Sequence, residues 1–415
     1  MRIAVWHNLP SGGGKRALYY HVRGLVERGH TVEAWCPPTA DQSYLPLRDL
    51  VLEHVVPFDW NAAPARGRLG EVFSRYRNTI GKLAAMDRHC RVCADQINQG
   101  GFDVVFANAC SFFRTTSIGR HVGSPGVLYL GEPFRWLYEA LPELPWIALP
   151  GPADSGWSPR YRYLKRFIRN LVDVQALRVQ AREELMSARA FSTILVNSHF
   201  SRESVLRAYG IDAKVCYLGV DSGLFVNRRQ PRERLVVGLG ALVPEKRPEV
   251  AIEAVSRLPE PRPELVWIGN VAIEAYSNEM RALARAKAVN LRIEVGIADK
   301  DVVALLNRAA MLVYAPRLEP FGFAPLEANA CGLPVVAVAE GGVRETVFDG
   351  INGLLVEDDP AAVAGAIGRL LGDPSYAARL GTAGREMVES DWSLAASIDR
   401  LERRLAEVGS SAPGR

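Results

Sequence analysis

Two glutamates with seven residues between them flank the stretch Glu319-Pro-Phe-Gly-Phe-Ala-Pro-Leu-Glu327, in which a glycine is set between two phenylalanines. An ionised carboxylate accepts hydrogen bonds and donates none, which suits the vicinal hydroxyls of a ribose or a hexose. Gly322 has no Cβ, so the backbone of Phe321, Gly322 and Phe323 can come close to a ligand and offer bare N–H groups. Pro325 fits a first helical turn, and Gly332 with Pro334 predicts that the helix ends after about two turns. Glu327 is thereby expected near a helix start and Glu319 on the loop before it, where free N–H groups favour an anion such as a diphosphate. Diol and diphosphate together describe a sugar nucleotide. A single glutamate at a solvated helix start would read the same way, so the neighbouring residues decide.

Downstream, Leu333-Pro-Val-Val-Ala-Val-Ala339 is a short apolar run between turn signals, the pattern of a buried parallel strand. It runs into Glu340-Gly-Gly-Val-Arg-Glu345, a second glycine-rich entry to a helix, and then Asp349-Gly-Ile-Asn-Gly-Leu-Leu-Val356. From Arg317 to Gly353 these ordered motifs resemble the donor half of retaining glycosyltransferases of family 4, the glycosyltransferase group 1 type. The resemblance covers residues 194–405 firmly and 1–150 more loosely.

The elements that would position these residues follow from the rest of the chain. At 415 residues two domains are expected. Arg2-Ile-Ala-Val-Trp6 is a strand, followed by His7-Asn-Leu-Pro-Ser-Gly-Gly-Gly-Lys15, then Leu18, Val22, Leu25 and Val26 at helical spacing, and the strand Thr31 to Cys36. This is a βαβ unit opened by a glycine-rich turn, Gly12-Gly13-Gly14. A Walker loop is excluded by Leu9 and Arg16, and a dinucleotide fingerprint by the Cys36-Pro37-Pro38 strand end. A ligand-approaching loop and a tight turn both remain open. In the second half, strands are expected at Leu235 to Leu239, Leu265 to Ile268, Leu291 to Val295 and Met311 to Ala315, with helices between them. The predicted class is α/β. The resemblance implies a GT-B arrangement, two Rossmann-like domains facing across a cleft: residues 1–210 for the acceptor, 211–390 for the donor, a helix over 391–408 crossing back, and a polar tail at 409–415.

The same resemblance implies roles. Lys246 matches the lysine placed against the donor diphosphate, Glu319 the carboxylate that orients sugar hydroxyls, and Glu327 the one that binds ribose. Phe321, Gly322 and Phe323 would hold sugar and phosphate through their backbone, Gly296 would lie against the nucleobase, and Gly12, Gly13 and Gly14 would face the diphosphate. Two family positions differ here. An arginine usually follows the glycine that is Gly240, and Ala241 stands there, which leaves Arg247 as the candidate second cation. In Leu128-Tyr-Leu-Gly-Glu-Pro-Phe-Arg-Trp-Leu-Tyr138 the family histidine is Gly131, with Glu132 the nearest polar replacement and Arg135 retained on the acceptor side. His7 and His121 are alternative imidazoles, His121 being assigned to the acceptor. The pair Asp299-Lys-Asp301 has the spacing of a metal-binding Asp-x-Asp, yet it precedes a helical pattern and reads as an N-cap with a first-turn acid, so no metal and no cofactor beyond the nucleotide sugar are expected.

Charge is nearly balanced, 50 basic residues against 46 acidic, so there is no nucleic-acid footprint. The six cysteines are dispersed; Cys90 and Cys93 have zinc-pair spacing without a second pair and read as helical core. With a strand at the amino terminus, no signal peptide before it and no apolar run of the ~20 residues a spanning helix needs, a cytoplasmic protein is expected, peripheral on the inner membrane face at most. Between Ser155 and Glu184, Trp157, Arg160, Tyr161, Arg162, Tyr163, Lys165, Arg166, Phe167, Arg169, Arg178 and Arg182 interleave rings with cations. That pattern fits a membrane interface or an anionic lipid-linked acceptor, and equally a solvated helix face. The expected activity is retaining hexosyl transfer from a UDP- or GDP-sugar to a glycan, lipid-linked or small-molecule acceptor. The alternative is a catalytically weakened sugar-nucleotide or glycan binding protein, which would lack donor turnover; a dehydrogenase would bind NAD.

Overall fold

A computed structural model describes residues 1–62, 67–140, 143–148 and 160–410; of residues 67–72 and 160–162 it describes the backbone alone. Trp157 and the tail beyond Ser410 lie outside the described residues, as do the side chains of Arg160, Tyr161 and Arg162. In chain order the first elements are β1 (Arg2–Asn8), α1 (Gly13–Glu27), β2 (Thr31–Cys36), β3 (Leu52–Val55), α2 (Gly67–Gln99), β4 (Val104–Cys110), β5 (Gly126–Tyr129), α3 (Arg135–Tyr138), α4 (Arg160–Ala188), β6 (Thr193–Val196), α5 (His199–Tyr209) and β7 (Lys214–Val215). There follow β8 (Leu235–Leu239), α6 (Pro248–Ser256), β9 (Glu264–Gly269), α7 (Glu274–Ala286), β10 (Leu291–Val295), α8 (Asp299–Arg308), β11 (Met311–Tyr314), α9 (Phe323–Ala330), β12 (Val335–Val338), β13 (Gly353–Val356), α10 (Pro360–Gly372), α11 (Pro374–Ser390) and α12 (Leu394–Ser410).

The chain divides into two compact units, one holding Met1–Val196, Arg202–Val215 and the chain from Glu402 onward, the other Asn197–Ser201 and Cys216–Leu401. In the first, the parallel sheet runs β3-β2-β1-β4-β5-β6-β7. β1 is buried along Ile3 to Asn8 because helices cover both faces, which is why it reads as a continuous apolar run instead of an alternating one. Trp6, Trp35, Met86, Cys90, Cys93, Ile97, Phe102 and Ile194 share its core, so the two closely spaced cysteines are core residues of α2.

In the second unit the parallel order is β10-β9-β8-β11-β12-β13. Val236, Leu265, Met311, Val336 and Ile367 lie in its core. The order reverses between β1 and β4 in one sheet and between β8 and β11 in the other. At such reversals, outside the carboxyl ends of the strands, open α/β sheets leave the crevice in which ligands bind. The loops at these reversals are Leu9 to Gly12 in the first unit and, separately, Gly240 to Arg247 and Ala315 to Gly322 in the second.

One buried carboxyl in the first unit makes stability depend on pH. Glu184, only 1 % exposed, accepts from Gln180 Nε2 at 2.9 Å and from the Tyr209 hydroxyl at 2.8 Å. Burial nevertheless pushes it from 4.5 up to about 7. The folded state therefore binds the extra proton, and the stability that goes with it is complete below the unfolded value and lost as pH rises through about 7. Glu184→Gln is expected to gain on the wild type between pH 5 and pH 8 by up to about 3 kcal/mol. Urea unfolding of both proteins at the two pH values checks this, and a pH-independent difference would refute it.

Candidate functional site

In the second unit, β8 ends in Gly240 and the chain passes through a 3-10 turn, Pro244–Lys246, before α6. Without a Cβ at Gly240 the aliphatic stem of Lys246 lies across the backbone, where an added Cβ would stand 3.4 Å from its Cγ and Cδ. The ammonium then reaches across the sheet reversal, and Lys246 Nζ lies 2.6 Å from Glu319 Oε2 on the loop after β11. Both are largely shielded, at 27 % and 13 % exposure, so their attraction is screened less than that of a surface pair.

Tyr314, the last residue of β11, lies near Glu319; burial, reinforced by that carboxylate's negative charge, holds its phenol well above the ordinary value. Glu319 is thus oriented by the Lys246 ammonium. A carboxylate has about four acceptor positions, so this partner leaves room for sugar hydroxyls.

The loop carrying Glu319 is fastened by backbone. Arg317 N–H donates to the Glu245 carbonyl at 3.2 Å, and Gly342 N–H donates to the Glu319 carbonyl at 2.7 Å. Glu340 accepts from Arg317 Nε and from Leu318 N–H, both at 3.0 Å. Glu345, at the end of the turn that begins at Gly341, accepts from the N–H groups of His199 at 2.8 Å and Phe200 at 2.9 Å, and from the Tyr217 hydroxyl at 2.8 Å. Nearby, the Ser198 hydroxyl donates to the Pro320 carbonyl at 2.5 Å.

Gly322, at φ 97°, is the N-cap of α9; this left-handed backbone favours glycine and starts the helix at Phe323. Glu327 is 7 % exposed and sits in the second turn of the eight-residue helix, one turn deeper than the sequence predicts. Phe321 is buried and meets Phe323 edge-on at 5.3 Å. Gly296, at φ 68°, follows β10 at the carboxyl edge and donates to the Gly269 carbonyl.

Lys246, Glu319, Glu327 and the Phe321 to Phe323 backbone are therefore brought to one edge. Arg247 takes a left-handed conformation, φ 54°, between the 3-10 turn and α6, and its guanidinium pairs with Asp358 at 2.7 Å. Asp299 is not a cap: Ala298 holds that position, and both aspartates lie in the first turn of α8.

In the first unit, Gly12 is the N-cap of α1, with Gly13 and Gly14 in its first turn. Glu132 follows β5 at the carboxyl edge and lies 3.0 Å from Arg114 and 3.4 Å from Arg135, which also holds Glu139 at 3.0 Å. His121 lies elsewhere. It precedes β5, so it sits at the amino edge of the sheet, where Nε2 meets Asp87 at 2.8 Å. His7 is fully buried against Glu53 and faces no solvent. Sequence reasoning missed Tyr314, Glu340 and Glu345; their only signal is position, at strand ends and in the glycine-rich turn.

The family description "Glycosyl transferases group 1" matches residues 224–387. A D-inositol 3-phosphate glycosyltransferase of Xylanimonas cellulosilytica is 33 % identical over half of this chain and 55 % of its own length. A GDP-mannose-dependent alpha-(1-6)-phosphatidylinositol monomannoside mannosyltransferase of Mycolicibacterium smegmatis is 32 % identical over half of the chain and 60 % of its own. The chain spans about half the length of the curated relatives it matches. Among solved structures, Anabaena Alr3699/HepE in complex with UDP superposes with TM-score 0.69 at 17 % identity, covering 98 % of this chain and all of that one. Sucrose-phosphate synthase of Thermosynechococcus elongatus gives 0.67 at 17 % identity, covering 99 % of this chain and all of its own. At that identity the likeness shows the fold alone, a GT-B one.

Proposed function

We propose that the chain, whose residues 224–387 match the glycosyl transferases group 1 family, is a retaining, metal-independent hexosyltransferase, taking its sugar from a nucleoside-diphosphate donor. The observation that carries this reading is the Lys246–Glu319 pair at the β8/β11 reversal, beside a buried Glu327 on the next helix.

In the proposed reaction the anomeric C–O bond breaks through an oxocarbenium-like state while negative charge grows on the leaving diphosphate. Lys246 is the cation for that charge, assisted by the N–H groups at the start of α9. Its ion pair with Glu319 aligns the ammonium in advance, so little reorganisation is needed when the charge develops. Glu319 accepts from sugar hydroxyls and Glu327 from the ribose. In a front-face route the leaving phosphate takes the acceptor proton. The Asp299 and Asp301 carboxylates serve α8 as first-turn acids and hold no divalent ion in this scheme.

One surface feature supports an acceptor with an apolar part and an anionic group. On α4, Leu164, Phe167, Ile168 and Leu171 are exposed beside Arg166 and Arg169. Among the described residues no helix is long and apolar enough to cross a membrane. The acceptor would accordingly be met at a membrane surface.

A nucleotide-sugar panel tests the proposal. GDP-mannose, which a similar protein's name specifies, and UDP-glucose, found bound to Anabaena Alr3699/HepE, head it. At least one donor is expected to stabilise the protein thermally and to release nucleotide at a rate unchanged by adding Mg²⁺ or Mn²⁺, with the protein sedimenting on anionic vesicles. No donor binding would overturn the donor assignment. A rate that requires a divalent ion would overturn the metal independence, and unchanged solubility with vesicles the membrane acceptor.

A further inference from the structure

The loop that carries Glu319 is closed into a ring of contacts by two aromatic residues that the transfer chemistry does not use. Phe321, 3 % exposed, lies 5.8 Å from the Trp392 ring, and Trp392 lies 4.9 Å from Tyr217, edge to face at 72°. The Tyr217 hydroxyl donates to Glu345 at 2.8 Å, in the turn whose Gly342 N–H donates to the Glu319 carbonyl at 2.7 Å. The path leaves the loop at Phe321 and re-enters it at Glu319. Every residue on it belongs to the second unit. We propose that Trp392 and Tyr217 are positioning residues of the donor site, holding the Phe321 ring so that the backbone N–H groups of Phe321 to Phe323 face the donor diphosphate. This rests on the donor reading above and extends the site beyond the residues that match the family, which run from 224 to 387.

Gly322 is the reason the loop needs an outside brace. At φ 97° and with no side chain of its own, its backbone is set by its neighbours. Phe323 meets Phe321 edge-on at 5.3 Å, so a fixed Phe321 ring fixes both flanks of the glycine. Trp392 can act as the brace because it is itself anchored. It is 6 % exposed, its N–H donates to the Val388 carbonyl at 3.2 Å, and its carbonyl accepts from Val220 N–H at 2.8 Å. Tyr217 is fastened likewise, its carbonyl accepting from Ser397 Oγ at 3.2 Å and from Arg400 Nε at 3.3 Å. Tryptophan and tyrosine suit the task, since their side chains are large and rigid and lose little rotamer freedom when held.

A residue that only kept the unit folded would affect every ligand of the site alike. A brace on the phosphate-facing backbone acts on the diphosphate, and on the transition state in which its charge grows, more than on the ribose, which Glu327 binds separately in the proposed reaction.

The test compares nucleoside diphosphate with nucleoside monophosphate by calorimetry on the full chain, pairing UDP with UMP and GDP with GMP. Wild-type protein is expected to bind one of the diphosphates. Trp392→Leu should weaken that affinity by about ten-fold or more and lower kcat for the nucleotide sugar by about 10²-fold, while the matching monophosphate loses less than about three-fold. Trp392→Phe, which restores a ring, should recover most of both. Leu370→Ala, in the apolar core of the same unit, should melt lower and keep both affinities. In wild-type protein labelled with fluorotryptophan, the fluorine resonance that Trp392→Phe lacks should move when the diphosphate is added. Equal losses for diphosphate and monophosphate, full activity in Trp392→Leu, or a Trp392 resonance that stays in place would each overturn the positioning role alone. A wild type that binds neither diphosphate would overturn the donor reading as well. Should Trp392→Leu fail to fold, Tyr217→Phe decides: it removes one hydroxyl, and unchanged diphosphate affinity there, with an unmoved Trp392 resonance, would refute the brace.

Discussion

Replacing Glu319 by alanine is expected to lower kcat/KM for the nucleotide sugar by about 10²- to 10³-fold, the range found when one preorganised charged or polar partner is removed from a developing ionic transition state. Two losses combine. The sugar hydroxyls lose their acceptor, and Lys246, held 2.6 Å from the carboxylate, loses the partner that aligns it. Because the two residues act as a unit, Lys246→Ala should cost a similar factor, and the double variant clearly less than the product of the two. Glu319→Gln keeps the shape and one acceptor and should fall between. Steady-state kinetics on the four proteins give the coupling directly. Wild-type turnover in Glu319→Ala would remove Glu319 from the reaction. Donor binding without turnover in the wild type would favour the alternative of a sugar-nucleotide binding protein.

A second large effect is expected where there is no side chain to remove. A Cβ at Gly342 would fall on the Pro320 carbonyl and within 3.1 Å of Phe321 Cα. The added methyl has only backbone to displace, so the strand-to-helix turn and the Glu319 loop must separate, and the Gly342 N–H bond to the Glu319 carbonyl is lost with them. Overpacking of this kind costs about 1–3 kcal/mol. The larger consequence is catalytic, since displacement of about 1 Å at a reacting centre can cost 10²-fold. Gly342→Ala should therefore lose kcat/KM at least a hundred-fold while remaining folded. Gly365→Ala is the control, because a Cβ there meets nothing within 4 Å, and it should be active and slightly more stable. Equal activity of the two variants would show that the close approach at Gly342 does not set the site.

Several strands were legible because parallel strands buried on both faces are short apolar runs, and Leu235–Leu239 ends where that run ends; the strands from Leu52 to Val215 in the first sheet were not read from the sequence. Glu319 and Lys246 were legible as candidate site residues only together with the motifs around them. What could not be read was partnership across sequence. Lys246 and Glu319 are 73 positions apart, and nothing periodic connects them. Tyr314 closes an apolar strand in which both faces are covered, so its hydroxyl gives no alternation signal. The pairing of Arg247 with Asp358, across a left-handed backbone at Arg247, was equally without a sequence signal. Asp299 missed the cap by one position, an ordinary uncertainty of helix ends. The long helices α2 and α4 have mixed apolar and charged faces, and their lengths of 33 and 29 residues have no compact sequence signature.

The bonds from residues 198–200 to Pro320 and Glu345 bear on how the donor-side unit could be excised. Cutting the gene at Cys216, where the main run of that unit begins, would discard the five-residue piece Asn197–Ser201 that belongs to the same unit. The Pro320 carbonyl would lose the Ser198 hydroxyl and the Glu345 carboxylate two of its donors, keeping that of Tyr217, next to the loop that carries Glu319. A minimal donor fragment is thus discontinuous in sequence, and a synthetic peptide spanning those five residues becomes its complementing partner.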